Sequence, residues 1–237
     1  MHVTIAAAAA ASLAALFLGP TAASPLPAPD LAPRQDYGDN VPGAATFYGG
    51  NVQGGTCSFS GYVLPPGIRG TALSSANWES AANCGACVNV RGPNGETIKA
   101  MIVDQCPSCA KNQLDLFQRA FTQLADESAG RVGIDWEFVP CGVPGPIKLK
   151  NKEGTSRYWF SMQVLNSNFA IKKLQVSTNG GKTWKKTKRA QYNYFERSSG
   201  FGTDVVDVKV TSISGKSIVV RNVKVSGSSA QEAHANF

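Results

Sequence analysis

Histidine is nearly missing from this chain of 237 residues: there are two, His2 at the start and His234 close to the end. A nucleophilic triad therefore has no base to draw on in the body of the chain. No G-x-x-x-x-G-K-[ST] loop occurs, which removes the phosphate cradle of a nucleotide enzyme. There is no N-x-[ST] sequon. No cysteine follows Cys141, and no segment after the first twenty or so residues is apolar enough to span a bilayer. No basic run exceeds three residues, so a cationic surface has to be assembled by folding. What remains is carboxylate chemistry and surfaces of aromatic or charged groups. Neither a cofactor nor a metal is expected.

The N-terminus carries an apolar run, Val3 to Leu18, then Gly19-Pro20 and the small residues "TAAS". This is the pattern of a secretory signal peptide over 1–23, cleaved after Ala23, although its start has no Lys or Arg. As a membrane anchor, about 16 apolar residues fall short of the roughly 20 that a span needs. Residues 24–42 are rich in Pro, Ala and Asp and read as a linker or pro-segment. The expectation is a secreted, extracellular monomer with no membrane partner.

Six cysteines lie within one window of 85 residues: Cys57, Cys84, Cys87, Cys106, Cys109 and Cys141. "NCGACVNV" and "DQCPSCAKNQLDL" each hold a C-x-x-C pair. The spacing C-x₂-C-x₁₈-C-x₂-C is that of a zinc ribbon. A secreted chain meets an oxidising compartment, where structural disulfides are the stronger reading and a redox pair the third. Spacing leaves the pairing open.

Charge divides the chain where the cysteines do. Residues 24–144 hold 7 basic and 11 acidic residues, net −4; residues 145–237 hold 16 and 5, net +11. Such asymmetry points the second half toward an acidic partner. In a secreted protein that is an acidic polysaccharide or a cell surface rather than nucleic acid. The boundary falls at "CGVPGPIKLK", where Gly142, Pro144, Gly145 and Pro146 interrupt regular structure. The first domain, 43–142, reads as short strands with one helix in "LDLFQRAFTQLADES", where Phe117, Ala120, Phe121 and Leu124 recur at helical spacing. "GRVGIDWEFVPC" alternates Val132, Ile134, Trp136 and Phe138 on one face. The second domain, 146–226, reads as all strand, with a hairpin at Thr178-Asn179-Gly180-Gly181 and alternating Val206, Val208 and Val210. Residues 227–237 read as a polar, disordered tail.

Few residues are candidates for chemistry. Asp115 reads as a helix N-cap in D-x-x-Q, with Gln118 reaching back. Its functional reading is a general acid kept protonated by Leu114 and Leu116. Asp104 ends the apolar strand "AMIV", and Thr46 sits in "AATFY"; each is unremarkable alone. Glu79, Asp126, Glu127 and Asp135 read as solvated charges. In the second domain Tyr158 and Trp159 are neighbours, so on a strand both cannot face one core. "QYNYF" adds Tyr192, Tyr194 and Phe195. Exposed rings of this kind stack on sugars, whereas Trp184, in "KTWKK", reads as core.

Taken in order, "GAATFYGG", "CGACVNVRGPNG", "IVDQCP", "LDL", "GRVGIDWEFVPC", "EGTSRYWFSMQVLN" and "YNYF" resemble the expansin family in its two-domain microbial form. The resemblance runs from about Gly43 to Val225. It implies a mainly all-β chain: a six-stranded double-psi β-barrel followed by an immunoglobulin-like β-sandwich. It implies non-hydrolytic loosening of plant cell walls, with cellulose and other wall polysaccharides as partners. Groove residues would be Thr46, Asp104 and Asp115, and a cellulose-binding platform Tyr158, Trp159 and Tyr192. By the same likeness the pairing would be Cys57–Cys84, Cys87–Cys141 and Cys106–Cys109. Two positions depart from the pattern: Cys106 stands where many relatives carry a groove tyrosine, and Phe117 where a serine follows "LDL". The barrel is shared with family 45 endoglucanases and some lytic transglycosylases. In those endoglucanases a base aspartate closes Thr-x-Tyr-Trp-Asp; here the stretch is Thr46-Phe47-Tyr48-Gly49-Gly50. An acid without its base should not hydrolyse by inversion, so no enzyme is expected. The alternative is a weak endoglucanase or lytic transglycosylase with Asp115 as acid.

Overall fold

Six strands close into a barrel in the computed structural model, which describes Met1, His2 and residues 38–237. The expected leader and most of the expected linker lie outside the described residues. The barrel strands are β1 (Val41–Tyr48), β2 (Ile68–Ser74), β3 (Cys87–Arg91), β4 (Thr97–Cys106), β5 (Leu114–Phe117) and β6 (Val132–Val139). Their order around the barrel is β1-β5-β2-β4-β3-β6, and β6 pairs back onto β1. β1 runs parallel to β5 and β2 parallel to β4, while the other pairs are antiparallel. Parallel neighbours cannot be joined by a tight turn, so the strands interlock through long connections. This is a double-psi β-barrel. Leu73, Ile102, Leu114, Leu116 and Phe121 fill its centre.

The segment expected to be a long helix is divided. Leu114–Phe117 is strand β5, and the helix α1 covers only Gln118–Phe121. The apolar spacing is sound, since Ala120, Phe121 and Leu124 are buried. Pairing of Ala45 to Tyr48 with Leu114 to Phe117 captures the first four residues in a sheet, overriding local helical preference. The N-cap of α1 is Phe117, without a side-chain cap bond, and Gln118 instead donates to Glu127. Asp115 is therefore not a helix cap.

All six cysteines are in disulfides: Cys57–Cys84, Cys87–Cys141 and Cys106–Cys109. The zinc-ribbon reading of the spacing does not match this arrangement, since every cysteine is bonded and Cys84 and Cys87 pair with distant partners. Cys106–Cys109 staples the loop between β4 and β5. That loop is also held by Ser74 Oγ donating to Cys109 O (3.0 Å) and by Trp136 Nε1 donating to Asn112 O (2.9 Å).

The second layer pair follows. Strands β7 (Lys148–Asn151), β8 (Phe160–Leu165), β9 (Ile171–Ser177), β10 (Lys185–Lys186), β11 (Lys188–Arg189), β12 (Phe195–Arg197), β13 (Val205–Ser212), β14 (Ser217–Lys224) and β15 (Ala230–Glu232) form two sheets. Their orders are β10-β9-β13-β14 and β11-β12-β8-β7-β15. Phe160, Met162, Leu174, Val176, Val208 and Val210 fill the sandwich. Two expectations are corrected. The tail is not disordered: Ala230–Glu232 pairs with Lys148–Lys150, and Lys148 bonds Glu232 at 2.8 Å, because β7 otherwise leaves an open edge. Trp184 is not core: it stands half-buried beyond the sheet, with Lys209 Nζ 4.5 Å from its ring centre.

β8 is buried on both faces because the barrel covers its outer side. Gln163 Nε2 donates to Cys57 O (2.8 Å) and Asn193 Nδ2 reaches the same carbonyl (3.4 Å). Lys150 Nζ donates to Ser60 O (2.8 Å), and Tyr62 OH to Asn166 Oδ1 (3.1 Å). The half-buried Arg189 donates to Ile171 O and Ala81 O and lies over Phe195. Leu165, Ala170 and Ile213 join the barrel's apolar cluster. Barrel and sandwich thus share one compact unit.

The staples should differ in weight. Cys87–Cys141 closes 54 residues and Cys106–Cys109 only 3. Loop-entropy scaling gives about 4 kcal/mol for the first and about 2 kcal/mol for the second. Urea unfolding of Cys87→Ser/Cys141→Ser should show the larger drop in midpoint. Equal drops would contradict this ordering.

Candidate functional site

Strand register places the candidate groove residues. Ala72 on β2 pairs with Asp104 on β4 and with Asp115 on β5, and Asp115 pairs with Thr46 on β1. Cross-strand partners point to the same side of a sheet. Asp104, Ala72, Asp115 and Thr46 therefore form one row across four strands. With neighbouring strands about 4.8 Å apart, the two aspartates sit roughly 10 Å apart at Cα. Ala72 between them is nearly fully buried and adds only a methyl, which leaves a trough. The row depends on a bulge. Thr71 pairs with Ile102 but Ala72 with Asp104, so Val103 is the extra residue that turns Asp104 toward Asp115.

The two carboxylates are held differently. Thr46 Oγ1 donates to Asp115 Oδ1. Thr46 in turn accepts from Gln113 Nε2 (3.1 Å), and Gln113 Oε1 accepts from Arg131 (3.1 Å). This relay fixes the direction of the Thr46 hydroxyl. Leu114 and Leu116, the neighbours on which the general-acid reading leaned, point into the barrel core on the other side of the strand. Asp104 accepts from Thr56 N–H (2.7 Å), Gln105 N–H (2.8 Å) and Tyr48 OH (3.2 Å). Three of its roughly four acceptor positions are filled. A general base needs a free lone pair aimed at water, and Asp104 has little to offer. Position 50 is a glycine and brings no carboxylate, and a Cβ there would lie 2.2 Å from Cζ of Tyr48, whose ring would have to move to admit one.

Tyr48 went unread in the sequence. Two residues after Thr46, it shares the groove face of β1, which the strand period alone could have signalled. It packs edge-on against Phe117 with ring centres 5.7 Å apart. Burial, then Asp104, holds its phenol well above the ordinary range. The groove therefore has a phenol, supplied from a strand other than the one that carries Cys106.

On the sandwich, Tyr158 is 74% exposed, Tyr192 is 36% exposed and Trp159 is half-buried. Ser156 and Trp159 pair across a tight turn with Tyr158 near its tip. The turn is clamped from behind: Phe201 and Gly202 N–H both donate to Arg157 O (3.1 and 2.9 Å). Gly200 makes that approach possible, since a Cβ there would lie 2.1 Å from Arg157 O. Lys152 Nζ lies 5.7 Å from the Trp159 ring centre and 5.6 Å from that of Tyr192, a cation shared by two π faces. Tyr192 OH donates to Glu196 Oε1 (2.7 Å), which also accepts from Ser161 (2.8 Å). Lys152 and Glu196 are positioning residues with no signature in the sequence.

Fold and geometry together define a class: a two-domain β-protein with a carboxylate trough on a double-psi barrel and aromatic side chains on an attached sandwich. No protein-family model matches the chain. Among known proteins it is similar to Expansin-YoaJ of Bacillus subtilis, 31% identical over 184 residues, which cover 76% of this chain and 77% of that one. Expansin-like protein 1 of Dictyostelium discoideum is 29% identical over 206 residues, 83% of this chain and 72% of that one. The apo structure of an expansin from Clavibacter michiganensis matches with a TM-score of 0.75 at 30% identity, over 84% of this chain and 98% of that one. A mutant of that expansin in complex with cellohexaose matches to the same extent. The chain belongs to the expansin family.

Hydrogen bonding to Glu196, then burial, pushes the Tyr192 phenol up to about 12. It should stay neutral between about pH 10, the usual tyrosine value, and about 12. Ultraviolet titration of the protein against Tyr192→Phe isolates this group. Glu196→Gln should bring the midpoint down toward the usual value, and an unmoved midpoint would argue against the bond.

Proposed function

We propose that the protein binds cellulose-rich plant cell walls and loosens them without cutting their chains. The observation that carries this reading is a carboxylate without a partner base. Asp115 faces the trough, position 50 is a glycine and brings no carboxylate, and Asp104 is committed to three donors. Inverting hydrolysis needs two working carboxylates flanking the bond. What Asp115 and Thr46 can do is exchange hydrogen bonds with sugar hydroxyls and so compete with contacts between neighbouring chains.

Binding is assigned to Tyr158, Trp159 and Tyr192. Sugar rings present C–H faces that lie well on aromatic planes, and Lys152 and Glu196 limit the freedom of two of these rings before any ligand arrives. A structural relative has been solved with cellohexaose, which supports cellulose as the ligand class. The net +11 of the second half supports added attraction to acidic wall polymers, weakening as salt screens exposed charges. Three disulfides support an extracellular, oxidising location, in line with the leader-like start.

Binding and loosening should separate by mutation. Trp159→Ala should lower retention on cellulose about tenfold, equivalent to roughly 1.4 kcal/mol. Asp115→Asn should leave retention unchanged and abolish the weakening of cellulose paper under load. An Asp115→Asn protein that weakens paper as well as the parent would remove the groove from the mechanism.

A further inference from the structure

The barrel trough continues past Asp115. Phe117 lies two residues on along β5, about 7 Å away on the same face. Beyond its ring is a cleft of about 260 Å³ between β2 and α1, lined among others by Leu64, Gly70, Phe117, Gln123, Arg69 and Arg119. That is slightly under the roughly 300 Å³ at which small-ligand pockets begin, so it suits a single sugar unit. The Phe117 ring rests directly on Gly70, where a Cβ would lie 2.3 Å from ring carbon Cε2. Glycine at 70 is what lets the ring form an apolar wall.

Such walls suit the face of any hexose, and charge makes the cleft selective. Residues 38–142 hold 6 basic and 9 acidic side chains, net −3, yet two of the six basic ones meet here. Among the described residues the ion pairs are Lys148–Glu232, Arg157–Asp204 and Arg221–Asp207, none of which involves Arg69 or Arg119. Arg69 Nε is buried and has no hydrogen-bond partner. A buried, unsatisfied donor is costly, and a guanidinium fork matches the two oxygens of a carboxylate.

We propose that this cleft is a subsite for a uronic-acid unit of an acidic wall polysaccharide. Arg69 and Arg119 take the carboxylate, and the sugar face lies on Phe117. The inference rests on the reading of the trough as a polysaccharide groove, and it is distinct from diffuse attraction to the basic sandwich.

Calorimetric titration of the full chain at physiological salt tests it. The probes are trigalacturonate, a glucuronate-bearing xylo-oligosaccharide, and cellohexaose as the neutral reference. Arg69→Gln/Arg119→Gln should lose at least about tenfold in affinity for one acidic probe and nothing for cellohexaose; which probe responds identifies the uronate. Arg91→Gln/Lys111→Gln removes the same charge from exposed sites on the same domain and should leave all three affinities unchanged. Thermal midpoints check that both variants are folded. If the Arg69/Arg119 variant binds both acidic probes like the parent, or if the control loses as much, the subsite is refuted. Failure of the cellulose reading would look different: the parent would not bind cellohexaose, while the dependence on Arg69 and Arg119 persisted.

Discussion

The pairing of Ala72 with two aspartates on opposite sides is the constraint on which the groove depends. β2 lies between β4 and β5, parallel to one and antiparallel to the other. The strand order seats β2 directly between them, and the bulge at Val103 puts Asp104 opposite Ala72. A shift of one residue on a strand turns its side chains to the other face. Without the bulge the trough would show Val103 where Asp104 now stands. The Cys106–Cys109 staple, the Ser74 and Ser75 hydroxyls and the Asn77–Asn112 bonds all hold the loop joining the two aspartate strands. Their shared effect is to keep that register.

From this row the chemistry follows by what each oxygen already does. Asp115 is tied to a threonine whose hydroxyl is oriented by Gln113 and Arg131. Asp104 is engaged by two backbone donors and by Tyr48. Position 50, a glycine, brings no second carboxylate. The sandwich is locked to the barrel through the Cys57 carbonyl, which accepts from Gln163 and Asn193, and through Arg189, which donates to Ala81 O. Groove and aromatic face therefore belong to one compact unit rather than to two modules on a tether.

Much of this was legible in the sequence, in identifiable places. Alternation in β6 and β13 marked strands because one face of each is buried in a single core. Cysteine placement and the change in charge near residue 144 fall between the last barrel strand and the first sandwich strand. Thr46, Asp104 and Asp115 were found as residues, but their relation was not, because it is set by register between strands distant in the chain. Leu116 and Phe117 read as the start of a helix capped by Asp115, since the apolar spacing continues into α1; pairing with β1 decided otherwise. The tail read as disordered because it is polar, and its order comes from an edge strand that needs a partner. Trp184 read as core by size, yet "KTWKK" lies on the short β9–β10 edge, where a cation covers it. Lys152 and Glu196 could not have been singled out, since their roles arise from ring contacts across several strands.

The most direct test of loosening without hydrolysis is to follow one sheet of cellulose two ways at once. Its mechanical strength and the reducing sugar released into solution are measured together over hours with the parent protein. The expected result is a loss of strength with no sugar above the level of a protein-free control. Sustained sugar release that disappears in Asp115→Asn would contradict it, and would mean that Asp115 has found a base that the trough does not provide.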